Sequence, residues 1–258
     1  MLCARRKSDG QIVTAYLEEK SNAPFLCIDC GAEVVLKTGR SRVTHFAHAV
    51  PETCRYAEGE SEAHRACKFE IYEALKNAPG ARDVALERSL GAVRPDVSAY
   101  INNIPVAIEV QVSTLSLETI TRRTIAYAQK GIYVLWLLQW SPELDEQRYT
   151  PTLWEKWIHA AYFGRVYYWV TGLTIASYHL DAHFTTVPKR SWLNEKHKRI
   201  TAGGYSKRSK RYRTALRGET LNLATDFQPK QRYWWEGNGF KVPDAKLFMH
   251  QGERPLSW

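Results

Sequence analysis

No stretch of the chain reaches the ~18 consecutive apolar residues that a membrane-crossing helix requires, so no membrane span is expected. The opening, MLCARRKSDG, lacks the apolar core of a signal peptide. Together these absences lead to the expectation of a cytoplasmic protein. Acidic residues are in short supply, 27 Asp and Glu against 36 Lys and Arg, for a formal net charge of +9. That deficit favours a polyanionic partner, nucleic acid before acidic lipid. Cysteine is scarce and its count, five, is odd. A disulfide framework is therefore not expected, and three cysteines lying close to histidines point to a reduced compartment and a metal. What is present is 258 residues, 44% of them hydrophobic. This is enough for one large or two modest domains with a real core.

Residues 1–24 read as a β-rich lead with a strand over Gln11 to Leu17. From Phe25 to Cys54 the sequence is FLCIDCGAEVVLKTGRSRVTHFAHAVPETC. Cys27-x-x-Cys30-Gly31 forms a knuckle in which two thiolates approach one ion and the glycine lets the backbone turn tightly. A strand over Glu33 to Lys37 brings the chain back to His45 and His48, and Cys54 follows. Cys27, Cys30, Cys54 and one of His45 and His48 make a closed Zn²⁺ site, structural because four protein ligands leave no position for substrate. A redox pair of Cys27 and Cys30 is the alternative.

The stretch VRPDVSAYINNIPVAIEVQVS, Val93 to Ser113, reads as two strands about Asn102-Asn103, an amide pair that accepts the positive φ of a tight hairpin. With those two residues as the loop, Asp96 faces Glu109 and Arg94 faces Gln111. Opposed residues share a face, so two carboxylates come within reach of one hard cation, Mg²⁺ or Mn²⁺. By strand alternation Val106, Ile108, Val110 and Val112 point one way and Ala107, Glu109 and Gln111 the other. The alternative is a solvated hairpin face, or a carboxylate paired with Arg94.

Around this hairpin, Glu60 to Asn77 is expected as a helix capped by Ser61, with Glu62, His64 and Lys68 on its solvated side. Arg82 to Leu90 reads as a strand, with Val84, Leu86 and Arg88 on one face and Ala85 and Glu87 on the other. Ser116 to Lys130 is a helix with Arg123 and Tyr127 on one face. Ile132 to Leu138 is a strand buried on both faces. The order αβββαβ gives an α/β core with a mixed sheet. Farther on, Pro151 to Phe163 reads as an aromatic-rich helix, and Val166 to Val170 with Leu173 to His179 as a hairpin across Thr171-Gly172. Lys189 to Arg217 then holds eleven Lys or Arg against the single acid Glu195. Phosphate contact is its natural use, through Lys189, Arg190, Lys196, Lys198, Arg199, Lys207, Arg208, Lys210, Arg211 and Arg213. A solvated helix face is the alternative.

The core order, with Arg94-Pro95-Asp96 on one strand and Glu109-Val110-Gln111 on the next, resembles the PD-(D/E)xK nuclease core. More narrowly, the ordered set CxxCG, HFAH, a later Cys, ESEAH with Lys68, RPDV, AIEVQ and GIYVLWLL resembles the competence protein CoiA-like family over about residues 25 to 140. The resemblance implies a restriction-endonuclease-like αβββαβ fold with a small zinc-binding module at residues 1–58 and a nuclease core at 59–140; beyond that it fades, and composition alone marks 141–258 as a basic, aromatic-rich extension in contact with nucleic acid. It implies Asp96 and Glu109 as Mg²⁺ or Mn²⁺ ligands, with Gln111 at the place of the family lysine and Arg123 and Tyr127 at the spacing of a further catalytic pair; Glu62 or Glu87 is the additional candidate ligand for that ion. DNA is the implied substrate, recombination proteins are implied partners, and the setting is recombination, competence or defence against foreign DNA. A zinc-containing DNA-binding or adaptor protein on an inactive scaffold is the second reading, since glutamine hydrogen-bonds but carries no charge.

Overall fold

The computed structural model describes residues 1–39, 43–50, 54 and 60–252. The boundary expected at 58–59 lies outside the described residues. The chain begins with β1 (Cys3–Arg6), β2 (Ile12–Thr14), β3 (Phe25–Leu26), β4 (Glu33–Lys37) and β5 (His45–His48). They form one antiparallel sheet in the order β2-β1-β3-β4-β5. The strand expected over Gln11 to Leu17 is shorter than the sequence suggested, because Ala15–Leu17 curls into a 3-10 turn. Phe25, Val34, Leu36 and Phe46 make the small core beneath this sheet.

Then come α1 (Glu62–Lys76), β6 (Ala81–Leu86), β7 (Val97–Ile101), β8 (Ile104–Gln111), α2 (Leu117–Gln129) and β9 (Tyr133–Gln139). Ser61 caps α1 by accepting the His64 N–H, and Ser116 caps α2 by accepting that of Thr119. Asn102 and Asn103 sit at φ 48° and 68°, both in the left-handed region that a two-residue hairpin requires. The register follows from that turn: Ile101 faces Ile104 and Val97 faces Ile108. β8 and β9 pair in parallel across the α2 crossover. The result is an α/β protein with a large mixed sheet.

Two features depart from strict alternation. Val106 to Val110 are all buried, because α1 and α2 pack against β8 and β9 and cover the sheet. The expected strand Arg82 to Leu90 stops at Leu86: the ladder to β7 shifts register between Arg82 and Ala85, and Asp83 and Glu87 take φ of 52° and 46°. Arg88 is thereby turned out to clasp Asp83 at 2.7 Å, and Glu87 is turned in.

Beyond β9 lie α3 (Leu153–Ala161), β10 (Val166–Thr171), β11 (Thr174–Val187), β12 (Arg190–Leu193), β13 (Arg199–Ala202), β14 (Tyr205–Asn222), β15 (Phe227–Arg232), β16 (Trp235–Gly237), β17 (Phe240–Val242) and β18 (Ala245–His250). The expected β10–β11 hairpin forms, with its turn one residue later than the sequence suggested: Thr171 pairs with Thr174, leaving Gly172-Leu173 as the loop, with Gly172 at φ 49°. β10, β11 and β14 extend the large sheet, and β18 meets the lower end of β9 at Val134. The basic run is no helix. It forms the outer half of a long antiparallel ribbon of β11 and β14, with β12 and β13 as a small hairpin at its tip. No helix among the described residues is long and apolar enough to cross a membrane.

Candidate metal centres and active site

Among the described residues, two clusters of metal-ligating side chains lie in the first half of the chain. In the first, one ligand atom from each of Cys27, Cys30, His48 and Cys54 lies within 4.8 Å of the others. The knuckle between β3 and β4 presents two cysteines, and β4 pairs with β5 so that His48 faces Val34. The His48 Nε2 lies 3.4 Å from the Cys30 Sγ. His45 does not join them: its Nδ1 sits 2.9 Å from the Val43 carbonyl. It lies three residues back along the strand, so alternation carries it to the other face. Burial and the adjacent Cys27 and Cys54 sulfurs push the Cys30 thiol up to about 11. Three crowded thiols and an imidazole are the donor set of a tetrahedral Zn²⁺ site, and the cluster is consistent with one.

The second cluster is built around Asp96. One Asp96 oxygen, Oδ2, accepts the Val110 N–H at 2.8 Å and lies 3.2 Å from the His64 Nε2. The other face of the His64 ring, Nδ1, is 3.1 Å from Glu60 Oε1. Glu60, His64 and Asp96 thus offer ligand atoms within 4.8 Å of one another. One turn beyond His64, the Lys68 ammonium pairs with Glu60, with Glu87 at 2.5 Å and with Asp96 at 3.6 Å. Burial works against ionising Asp96, but His64 and Lys68 outweigh it and hold the carboxyl far below its usual range. The same carboxylates raise Lys68 above the ordinary amine range despite its burial.

Glu109 belongs to an adjoining network. It is wholly buried. Its Oε1 accepts from the Tyr127 hydroxyl and the Arg123 guanidinium on α2, and its Oε2 meets no hydrogen-bond partner. Burial, opposed by Arg123 and reinforced by Asp96, pushes its carboxyl up to about 7. Arg123 also donates to the Arg94 carbonyl at 3.2 Å, bridging the start of β7 and the end of β8. Asp96, Glu109, Arg123 and Tyr127 are therefore brought together.

Of three further residues expected in this set, two lie apart from it and one is otherwise committed. Glu62 faces away, accepting from the Val43 N–H at 2.6 Å and from Arg65 at 2.8 Å. Glu87 reaches the cluster but is committed there: one oxygen binds Lys68 and the other accepts the N–H groups of Leu2 and Cys3 at 2.9 and 3.2 Å. Gln111 turns out of the site to donate to the Ser113 carbonyl at 2.6 Å and hydroxyl at 3.1 Å. Conversely, Glu60, His64 and Lys68 do not stand out as site residues in the sequence. Lys68 is 2% exposed, not solvated. The one signal for it is spacing: Lys68, Ile71 and Leu75 recur at three and four residues, placing the lysine on the buried stripe of α1.

The fold and these clusters define a mixed α/β protein with a thiolate–imidazole cluster near its N-terminus and a carboxylate–histidine–lysine cluster at a central hairpin. Residues 11–57 match the family described as Competence protein CoiA, N-terminal domain, and residues 60–163 match Competence protein CoiA, nuclease-like domain. Competence protein CoiA of Bacillus subtilis (strain 168) is 32% identical over 120 residues, which cover 45% of this chain and 32% of that relative. The chain belongs to the competence protein CoiA family. The match spans about a third of the length of that curated relative. No solved structure matches.

Proposed function

We propose that this protein is a Mg²⁺- or Mn²⁺-dependent DNA nuclease on a restriction-endonuclease-like core, with a structural zinc module, working in DNA processing during competence or recombination or against foreign DNA. One observation carries the reading: Glu109 is fully buried with Oε2 unpartnered, in the same network of charges as Asp96. A buried carboxylate oxygen without a donor is costly, and a cation or a phosphate-directed role accounts for its retention. Glu60, His64 and Asp96 offer two carboxylates and an imidazole, a set that suits Mn²⁺ and tolerates Mg²⁺. A divalent ion there would supply an acidic water and polarise a phosphate oxygen.

The chain's own residues divide the remaining work by exposure. Arg123, with its side chain 21% exposed, is the cation able to meet a scissile phosphate and balance the charge that develops on it. Lys68, at 3%, is closed off and acts by fixing the position and ionisation of Asp96 and Glu60. Tyr127 donates to Glu109 and holds it toward the site. The basic strands from Lys189 to Arg213 supply phosphate contacts along the DNA. A second reading has its own support: Gln111 is turned away, and Lys68 and His64 balance the carboxylates internally, as suits a non-catalytic scaffold that binds DNA. Incubation of the protein with single-stranded, linear and supercoiled DNA over a range of Mn²⁺ and Mg²⁺ separates the two. Cleavage abolished by Asp96→Ala and by Glu109→Ala is expected; binding without cleavage at every metal concentration favours the scaffold. A reversible Cys27–Cys30 disulfide in protein that carries no zinc would instead indicate redox chemistry.

A further inference from the structure

At the base of the ribbon, a cleft of about 730 Å³ opens between α3 and the β11–β14 strands. Its cations come from two separate parts of the chain: Lys156 from α3, and Arg208, Lys210 and Arg213 from β14. The register explains why three basic residues converge here. Between Ala182 facing Arg213 and Phe184 facing Arg208, β14 carries extra residues that have no partner on β11. Such a bulge bends the strand and re-aims its side chains. The bend is secured locally, with the Arg213 guanidinium donating to the carbonyls of Ser209 and Tyr212 at 3.2 and 2.9 Å and the Tyr212 N–H donating to the Ser209 hydroxyl at 2.9 Å.

None of these four cations forms an ion pair with a carboxylate among the described residues, although Asp181 also lines the cleft. Their mutual repulsion is felt in the site itself: burial and then Arg213 lower Lys156, and burial and then Arg208 lower Arg213. Like charges held together in a concave, partly dry site call for an anion. Phe184, 61% exposed, stands on the wall of the same cleft. An exposed aromatic beside clustered cations is the pairing that holds an unstacked base and its phosphate. The cavity is on the scale of small-molecule pockets, about 300–1,000 Å³, so it takes a nucleotide or a short run of one strand and not the side of a duplex. Phe240 lines both this cleft and a second groove along α2, the helix whose other face carries Arg123 and Tyr127.

We infer that the cleft between α3 and the bulged β14 is a binding site for single-stranded nucleic acid, with Lys156, Arg208, Lys210 and Arg213 on the phosphates and Phe184 under a base. The inference rests on the nucleic-acid reading above and adds the strand form and the place where it is held.

The test is fluorescence anisotropy with the full chain, a labelled oligothymidine and a labelled hairpin duplex, across a series of salt concentrations, together with inorganic polyphosphate as competitor. Lys156→Gln with Arg213→Gln is expected to weaken oligothymidine binding at least tenfold and to flatten log affinity against log salt by about one to two, roughly one for each phosphate no longer neutralised. Phe184→Ala is expected to weaken oligothymidine and leave polyphosphate unchanged. Circular dichroism identifies any variant that has lost its fold, and Lys156→Arg with Arg213→Lys, which keeps both charges, should bind oligothymidine about as the wild type does. Oligothymidine affinity and slope unchanged in folded double-variant protein would overturn the cleft while leaving DNA binding by the rest of the ribbon intact. Binding confined to the duplex overturns the single-strand assignment, and polyphosphate binding without any DNA binding overturns the nucleic-acid reading itself.

Discussion

Lys68 is held by three carboxylates at once, from the start of α1, the end of β6 and the start of β7. At 2% exposure it cannot trade any of them for water. Lys68→Met should therefore leave Glu60, Glu87 and Asp96 crowded and uncompensated, destabilising the fold by about 3–5 kcal/mol. Lys68→Met with Glu87→Gln removes one of the stranded charges and should recover part of that loss, which urea denaturation of the two variants checks. Asp96 and Glu109 were legible in the sequence because a two-residue turn fixes which residues oppose each other. Lys68 and Glu60 were not, because a charge on an otherwise apolar stripe is readable as a solvated one until its partners, from elsewhere in the chain, are in place. His159, on α3, makes the stability of the fold depend on pH. Burial first, then His179 and Arg213, push its pKa down to about 3, and its Nε2 accepts the Leu180 N–H at 3.2 Å, so it folds neutral. An unfolded histidine titrates near 6.5. The unfolded state then binds the extra proton between those two values, so His159 stabilises the fold fully above about pH 6.5 and progressively less toward pH 3. The difference in unfolding free energy between wild type and His159→Asn should shrink with falling pH, at up to about 1.4 kcal/mol per unit. A difference that stays flat from pH 7 to 5 would contradict this.

At the scale of elements, the β7–β8 hairpin governs the candidate site because it sets the register that brings Asp96 beside the Val110 N–H. Its turn needs two residues at positive φ. Asn103→Val introduces a β-branched side chain there and should cost about 1–2 kcal/mol, whereas Asn103→Gly should be close to neutral. Thermal melts of the pair separate backbone strain from loss of the weak 3.4 Å contacts between Arg82 and the Asn103 side chain, which both substitutions remove. The strands and helices of residues 60–140 were largely readable, since their apolar residues repeat with the period of their secondary structure. The ribbon was not. β12 and β13 are exposed along their whole length and β14 along most of its own, so neither face selects apolar residues and the two-residue period that identifies a strand is erased. What holds β14 in the sheet is its long ladder with β11, a property of two segments that neither displays alone.

For the molecule as a whole, the thiolate cluster and the candidate active site are joined by named bonds. Asp29, inside the Cys27–Cys30 knuckle, pairs with the Arg94 guanidinium, whose side chain is 7% exposed. Arg94 lies two residues before Asp96, and its carbonyl accepts from Arg123. Glu87 receives the backbone N–H groups at the head of β1 on the same side. If the cluster holds Zn²⁺ as proposed, the metal fixes the knuckle, the knuckle fixes Asp29, and Asp29 fixes the strand end that presents Asp96. Asp29→Asn isolates this link, since it changes no cluster ligand. It should leave one zinc per chain by atomic absorption, destabilise the fold because the buried Arg94 guanidinium loses this carboxylate, and weaken Mn²⁺ binding or Mn²⁺-dependent cleavage several-fold. Cys30→Ser should instead lose the zinc and weaken Mn²⁺ binding at least as much. Were Cys30→Ser to lose its zinc and bind Mn²⁺ as tightly as the wild type, the two centres would be mechanically independent, and the Asp29–Arg94 pair would serve only to dock one sheet against the other.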